Sequence, residues 1–102
     1  MHRLTGELGG WFGLDAGTLR AGDRADVALV DPRGLDARVH DYHEAEVPAY
    51  GGLRRMVNRS DAAVVATLVN GVVVYRDGAF APGFGERRTG CFLRAGRPGA
   101  AP

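Results

Sequence analysis

The sequence predicts a mainly β protein, a small partial β-sandwich with one N-terminal helix and no (β/α)8 barrel. Two apolar, β-rich runs at 64–69 and 72–75 are joined by Asn70-Gly71, the dipeptide most typical of a type I′ hairpin turn. Residues 27–30 form another short apolar run that a turn closes, which is typical of a buried strand. The chain has 102 residues, too few for a (β/α)8 barrel, which needs about 200 or more.

An amphipathic helix is predicted over residues 1–14. Its large apolar residues recur at i, i+4, i+7 and i+8, which places them on one helical face. They are Leu4, Leu8, Trp11 and Phe12. Gly13 is placed to end the helix in a left-handed conformation. The glycines inside it weaken the helix by about 1 kcal/mol each relative to Ala, so we expect it to pack on another surface through Trp11 and Phe12.

Residues 15–95 are assigned to the β-sandwich-type domain. The run 64–69 is apolar on both of its faces, so we expect it to be covered on both sides. Asp77-Gly78 predicts a second tight turn. These features together predict one strand followed, after an interval, by an antiparallel meander.

Residues 33–60 are the least regular stretch, with mixed charge and scattered Gly and Pro. We interpret them as a long excursion with one short helical turn. Loops of this length in a compact domain are often functional or packed on a partner. Residues 96–102 are predicted to be a disordered tail.

Composition and charge exclude several function classes. All 13 basic residues are Arg, so the chain offers no lysine nucleophile or Schiff base. A net charge of +1 gives no long-range field to attract nucleic acid or an anionic membrane, and neither is expected as a partner. No apolar run approaches the roughly 20 residues that span a bilayer, and no signal peptide begins the chain. We therefore expect a cytoplasmic protein.

Four segments carry a family resemblance. Residues 4–14 end in Gly-Leu, and residues 17–31 contain Gly-x-Leu-x-x-Gly-Asp-x-Ala-Asp followed by an apolar run and Asp. Residues 68–78 contain Leu-Val-Asn-Gly-x-x-Val-x-x-x-Gly, and residues 90–94 are Gly-Cys-Phe-Leu-Arg. In this order they resemble the C-terminal segment of the metal-dependent amidohydrolase superfamily, in its N-acyl-D-amino-acid deacylase (D-aminoacylase-like) branch. Within that resemblance, the predicted helix over residues 1–14 is similar to the last helix of the family's barrel. Within the second segment, Asp26 precedes the strand and is expected to accept hydrogen bonds from nearby backbone amides.

The resemblance implies a supporting role. In that family a zinc-activated water hydrolyses amide or related non-peptide C–N bonds, including those of N-acyl-D-amino acids. The metal ligands lie in a (β/α)8 barrel that precedes this region, while the region itself belongs to a small composite β domain. No position here matches a family ligand, so we carry over no catalytic, cofactor-binding or metal residue. The expected function is a non-catalytic structural domain of such an enzyme, as a fragment or a separately encoded remnant.

Two alternatives stay open. The chain is alternatively a subunit that completes a separately encoded amidohydrolase barrel. It is alternatively a small metal- or ligand-binding module that uses His40, His43 and Glu44, because on a helical turn His40 and His43 or Glu44 would share a face. A zinc site needs three or four ligands with supporting hydrogen bonds, so these three residues stay candidates and no metal residue is assigned.

The remaining candidates receive structural interpretations. Cys91, the single cysteine, is interpreted as a small buried hydrophobe rather than a nucleophile. Residues 83–88 are rich in Gly but lack the Lys-Ser/Thr ending of a phosphate-binding loop. An incomplete sheet leaves an open edge, so self-association into a homodimer is predicted, with a barrel-bearing hydrolase chain as the other expected partner.

Overall fold

The computed structural model describes residues 1–47 and 50–96. One α-helix and six strands follow each other along the chain, with short 3-10 turns at His2–Leu4, Pro32–Gly34 and Ala37–His40. They are α1 (Gly6–Phe12), β1 (Val27–Val30), β2 (His43–Val47), β3 (Leu53–Val57), β4 (Val64–Val69), β5 (Val72–Arg76) and β6 (Ala79–Phe80).

The strands form two antiparallel sheets. One sheet has the order β1-β4-β5-β6, and β2 pairs with β3 in the other. The predicted class, mainly β with one N-terminal helix, is confirmed, and the described residues contain no barrel. The described residues divide into two compact units, one of residues 1–27, 68–72 and 88–96, the other of residues 28–67 and 73–87.

In the first unit, α1 is shorter than the predicted span 1–14 and is held through its glycines. Gly13 ends it with φ 66° and ψ 34°, the left-handed conformation that was predicted. A Cβ atom on Gly9 would lie 2.2 Å from the carbonyl oxygen of Ala16, so the helix backbone lies directly against the segment that follows it. The glycines that lower helix propensity therefore permit this close approach.

The first unit also joins two of the motif segments. Asn70 and Gly71 both have positive φ, 50° and 80°, which confirms the predicted type I′ turn. The Asn70 N–H donates to Asp26 Oδ1 over 2.8 Å, as expected for that carboxylate. The Gly71 N–H donates to the carbonyl oxygen of Ala25 over 2.9 Å. The turn is thus fixed to the residues that precede β1.

In the second unit, residues 33–60 lie outside the four-stranded sheet, but they are more regular than the sequence predicted. The segment contains two 3-10 turns and the antiparallel pair β2–β3, in which Glu46 lies opposite Arg54 and Glu44 opposite Met56. Most residues of both strands are exposed. The hairpin therefore lacks the alternation of apolar and polar residues by which a half-buried strand is recognised.

The second unit has a small core. Its buried hydrophobic side chains, among the residues described, are Val47, Ala63 and Ala66, which are 3%, 4% and 7% exposed. The second predicted turn is confirmed, because Asp77 and Gly78 both have positive φ. The expected cover on both faces of β4 is only partial, since Ala66 is its one buried residue and the other five are half-buried.

The predicted disordered tail at 96–102 lies outside the described residues, except for Gly96. The Gly96 N–H donates to the carbonyl oxygen of Gly13 over 2.7 Å. This hydrogen bond, within the first unit, joins the end of α1 to the last described residue.

Candidate functional site

The large apolar side chains of the N-terminal segment are uncovered. Leu4, Leu8, Trp11 and Phe12, here called the helix patch, are 70%, 44%, 80% and 57% exposed. Covering a side chain of this size contributes about 1.5–3 kcal/mol. The helix patch is therefore a surface on which a partner would gain several such contributions at once.

The opposite face of the same helix is glycine. Gly6, Gly9, Gly10 and Gly13 recur at i, i+3, i+4 and i+7, and at about 100° per residue they lie roughly across the helix axis from Leu8, Trp11 and Phe12. Gly9 is buried and contacts the Ala16 carbonyl. An ordinary amphipathic surface helix buries its apolar face, whereas the one buried residue of α1 is Gly9 and its large apolar side chains are exposed.

The candidate metal residues do not converge. His40 ends a 3-10 turn, while His43 and Glu44 are consecutive residues of β2 and so point to opposite sides of the strand. The helical turn on which they would share a face is not formed. Glu44 Oε1 instead accepts a hydrogen bond from Arg54 Nε over 2.9 Å. Among the described residues, no group of three or more His, Cys, Asp or Glu is placed to hold a metal ion.

Cys91 is exposed, so its interpretation as a buried hydrophobe is wrong. Arg24 Nη1 donates to its sulfur over 2.9 Å. The Nε of Arg24 is buried without a hydrogen-bond partner among the described residues, since Asp26 Oδ2 lies 3.9 Å away. No local sequence pattern indicates this contact, because 67 positions separate the two residues.

Two carboxylates, those of Asp31 and Asp36, accept hydrogen bonds from nearby arginines. The side chain and N–H of Arg38 lower the pKa of Asp36 to about 2, and Arg33 lowers the pKa of Asp31 in the same way. Each Asp precedes a 3-10 turn and accepts from the backbone N–H two residues later. These exposed pairs therefore shape the chain locally.

An aromatic cavity of about 640 Å³ lies in the second unit, and no sequence pattern predicted it. The rings of Phe80 and Phe84 stack with centroids 4.4 Å apart, and Tyr50 and Glu86 also line the space. Residues 81–86 form successive turns, in which Phe84 N–H donates to Ala81 and Glu86 N–H to Gly83. The Gly-rich segment thus brings Phe84 and Glu86 to the space that Phe80 of β6 also lines.

The comparisons with known proteins find longer mycobacterial relatives. The chain is 59% identical over 106 residues to proteins of Mycobacterium tuberculosis and Mycobacterium bovis, whose names describe them only as uncharacterized. The match covers 99% of this chain and 17% of each relative. The chain thus spans about one sixth of their length, and since 106 residues make up 17%, each relative has on the order of 600 residues.

Neither family models nor solved structures add a further relative. No family model matches the chain. No solved structure matches it either. Within the described ranges, no helix has the length and apolar character that crossing a membrane requires.

Proposed function

We propose that this chain is a non-catalytic supporting β domain of a longer metal-dependent hydrolase of the amidohydrolase type, whose catalytic barrel covers the helix patch. The observation that carries the proposal is the orientation of α1. Its Gly9 lies against the carbonyl of Ala16, whereas Trp11 and Phe12 are 80% and 57% exposed. A large exposed apolar patch is typical of an interaction surface. A barrel helix or sheet face would supply the missing apolar cover.

The motif residues act in the scaffold, which supports the same role. Asp26 accepts a hydrogen bond from the backbone of the β4–β5 turn. Asn70 and Gly71 adopt the positive φ angles of that turn. These residues are three of those on which the family resemblance depends. Their chemistry is that of a structural junction between two segments of the fold.

The relatives have room for a catalytic domain. At on the order of 600 residues, of which this chain matches 17%, they contain several hundred further residues, and a (β/α)8 barrel takes about 250. In the proposal, that barrel holds the zinc and activates the water that hydrolyses an N-acyl-D-amino acid or a related non-peptide C–N bond. The present chain stabilises the barrel and contributes no group to the reaction.

A segment exchange tests the proposal. The 106 matched residues of the Mycobacterium tuberculosis relative are replaced by this chain, and the chimera is compared with the parent for thermal unfolding, bound zinc and hydrolysis of N-acetyl-D-amino acids. We expect all three to be close to the parent values. Trp11→Arg and Phe12→Arg in the chimera should lower the unfolding temperature and, with it, the bound metal.

The matched control is Phe92→Arg. Phe92 is 87% exposed and is not one of the four residues of the helix patch, so this substitution adds the same charge at a different exposed aromatic residue. Equal effects of Trp11→Arg and Phe92→Arg would contradict the docking role. A well-folded chimera and parent that both lack metal and hydrolase activity would contradict the amidohydrolase assignment alone.

A further inference from the structure

The aromatic cavity combines ring faces with one carboxylate. Phe80 and Phe84 are 41% and 42% exposed and Tyr50 is 65% exposed, so the rings keep open surface towards the space that they line. The Phe80 and Phe84 rings are stacked at 21° from parallel, so each presents one face to the other and Phe84 has a second face away from Phe80. Tyr75 lies edge to face with Phe80 at 5.4 Å and 79°, which fixes the position of the pair.

The charge on the lining of this cavity is negative. Glu86 is the only charged residue among the described ones that line it; the others are aromatic, Ala or Gly. Its Oε2 lies 3.6 Å from the position of a Cβ on Gly83, so the carboxylate lies over the same loop. The face of an aromatic ring also carries negative electrostatic potential. The rings and the carboxylate thus favour the same kind of ligand, a cation with apolar bulk.

We propose that the space between Tyr50, Phe84 and Glu86 binds a small organic cation, a quaternary ammonium or guanidinium group. Such cations are attracted to ring faces within about 6 Å, and their diffuse charge and apolar surface make them easier to desolvate than a primary ammonium. The neighbouring carboxylate provides the opposite charge. Because the cavity is open to solvent, we expect a dissociation constant on the order of 1 mM.

The experiment is an NMR titration of the whole chain with choline. Its uncharged isostere, 3,3-dimethylbutan-1-ol, has the same shape and measures apolar binding alone. We expect choline to shift the amide signals of residues 80–86 and to bind at least about 5-fold more tightly than the alcohol. N-acetyl-arginine amide forms a second arm and shows whether a side chain carried by a peptide occupies the same space.

Three variants separate charge, ring and position. Glu86→Gln should weaken choline binding about 3- to 10-fold and leave the alcohol unchanged. Phe84→Leu keeps an apolar side chain and removes the ring, and it should weaken the binding of choline more than that of the alcohol. Phe92→Leu, outside the cavity, should change neither ligand. Equal binding of choline and the alcohol, or a Glu86→Gln variant that binds choline as before, would overturn the proposal.

Discussion

The phenolic hydroxyl of Tyr75 donates a hydrogen bond to Asp61 Oδ1 over 2.5 Å. Tyr75 lies in β5, and Asp61 lies in the turn before β4. A Cβ atom on Gly78 would be 3.4 Å from the other carboxylate oxygen, so Asp61 also lies beside the β5–β6 turn. One carboxylate therefore connects two neighbouring turns of the second unit, at a place where few apolar side chains are buried.

Tyr75 should lose its proton at an unusually high pH. The hydrogen bond to Asp61 raises the pKa of Tyr75 above its ordinary 10.0, with a further contribution from burial. In an absorbance titration of the phenolates, one of the three tyrosines should titrate late, and Tyr75→Phe should remove that late step. Loss of an earlier step in the variant would contradict the assignment.

The same shift has a defined effect on stability. Because the folded-state pKa of Tyr75 is raised, its contribution to folding is fully present below pH 10 and is lost as the pH rises through the folded value. The free energy of unfolding of the wild type should therefore fall more steeply above pH 10 than that of Tyr75→Phe. Denaturant unfolding at pH 9 and at higher pH measures the difference.

Two adjacent glycines of α1 should respond oppositely to alanine. Gly9→Ala places a Cβ 2.2 Å from the Ala16 carbonyl oxygen, so the backbone must shift, at about 1–3 kcal/mol. Gly10→Ala meets nothing within 4 Å and should stabilise the helix by up to about 1 kcal/mol. Urea unfolding measures the free energy of unfolding of the two variants. Equal changes in that free energy would show that α1 is not packed through Gly9.

Asp26 should protect the turn that it binds. Asp26→Ala removes the acceptor of the Asn70 N–H and should lower the free energy of unfolding by about 1 kcal/mol. The Asn70 amide should also exchange its hydrogen faster. Asp26→Asn keeps an acceptor oxygen in place and is the matched control. Unchanged exchange at Asn70 in the alanine variant would rule out this contact in solution.

The carboxyl of Asp36 should titrate independently of that of Asp31. Arg38 lowers the pKa of Asp36 from 3.8 to about 2, so its stabilising contribution is present above pH 3.8 and is lost as the pH falls through about 2. Arg38→Ala should return the pKa of Asp36 towards 3.8 in a carboxyl NMR titration. Asp31, whose pKa is lowered by Arg33, should be unaffected and serves as the internal control.

The predictions made from sequence succeeded where a local rule applies. The Asn70-Gly71 turn and the Gly13 helix end follow from backbone preferences of a few adjacent residues, and both were found. The β2–β3 hairpin was missed because Glu44 and Arg54 stabilise it across strands, where apolar alternation is absent. The order of acidic residues in one strand and basic residues in the next is the signal that would have indicated it.

The candidate sites depended on contacts that no local rule describes. The Arg24–Cys91 contact joins the two ends of the first unit, and the aromatic cavity brings Tyr50 together with residues 30 or more positions later. Spacing along the chain carries no information about such pairs. The spacing of His40 and His43 suggested a shared helical face. The chain instead changes from a 3-10 turn to a strand between them, and this separates the two side chains.

The helix patch predicts that the isolated chain associates with itself. With no barrel present, a second copy is the available apolar cover, and Trp11 at 80% exposure is the largest side chain that it would bury. Size-exclusion chromatography with light scattering should give a dimer or larger species at micromolar concentration, and Trp11→Arg should give a monomer. A reductant must be present throughout, because the exposed Cys91 can link two chains by oxidation.

The single tryptophan also reports on this contact directly. Its emission should shift to longer wavelength as the protein is diluted and the helix patch becomes exposed to water. Phe92→Arg, which adds a charge at another exposed aromatic residue, should leave both the mass and the emission shift unchanged. A wild-type chain that stays monomeric at micromolar concentration, with tryptophan emission independent of dilution, would show that the helix patch does not bind a second copy.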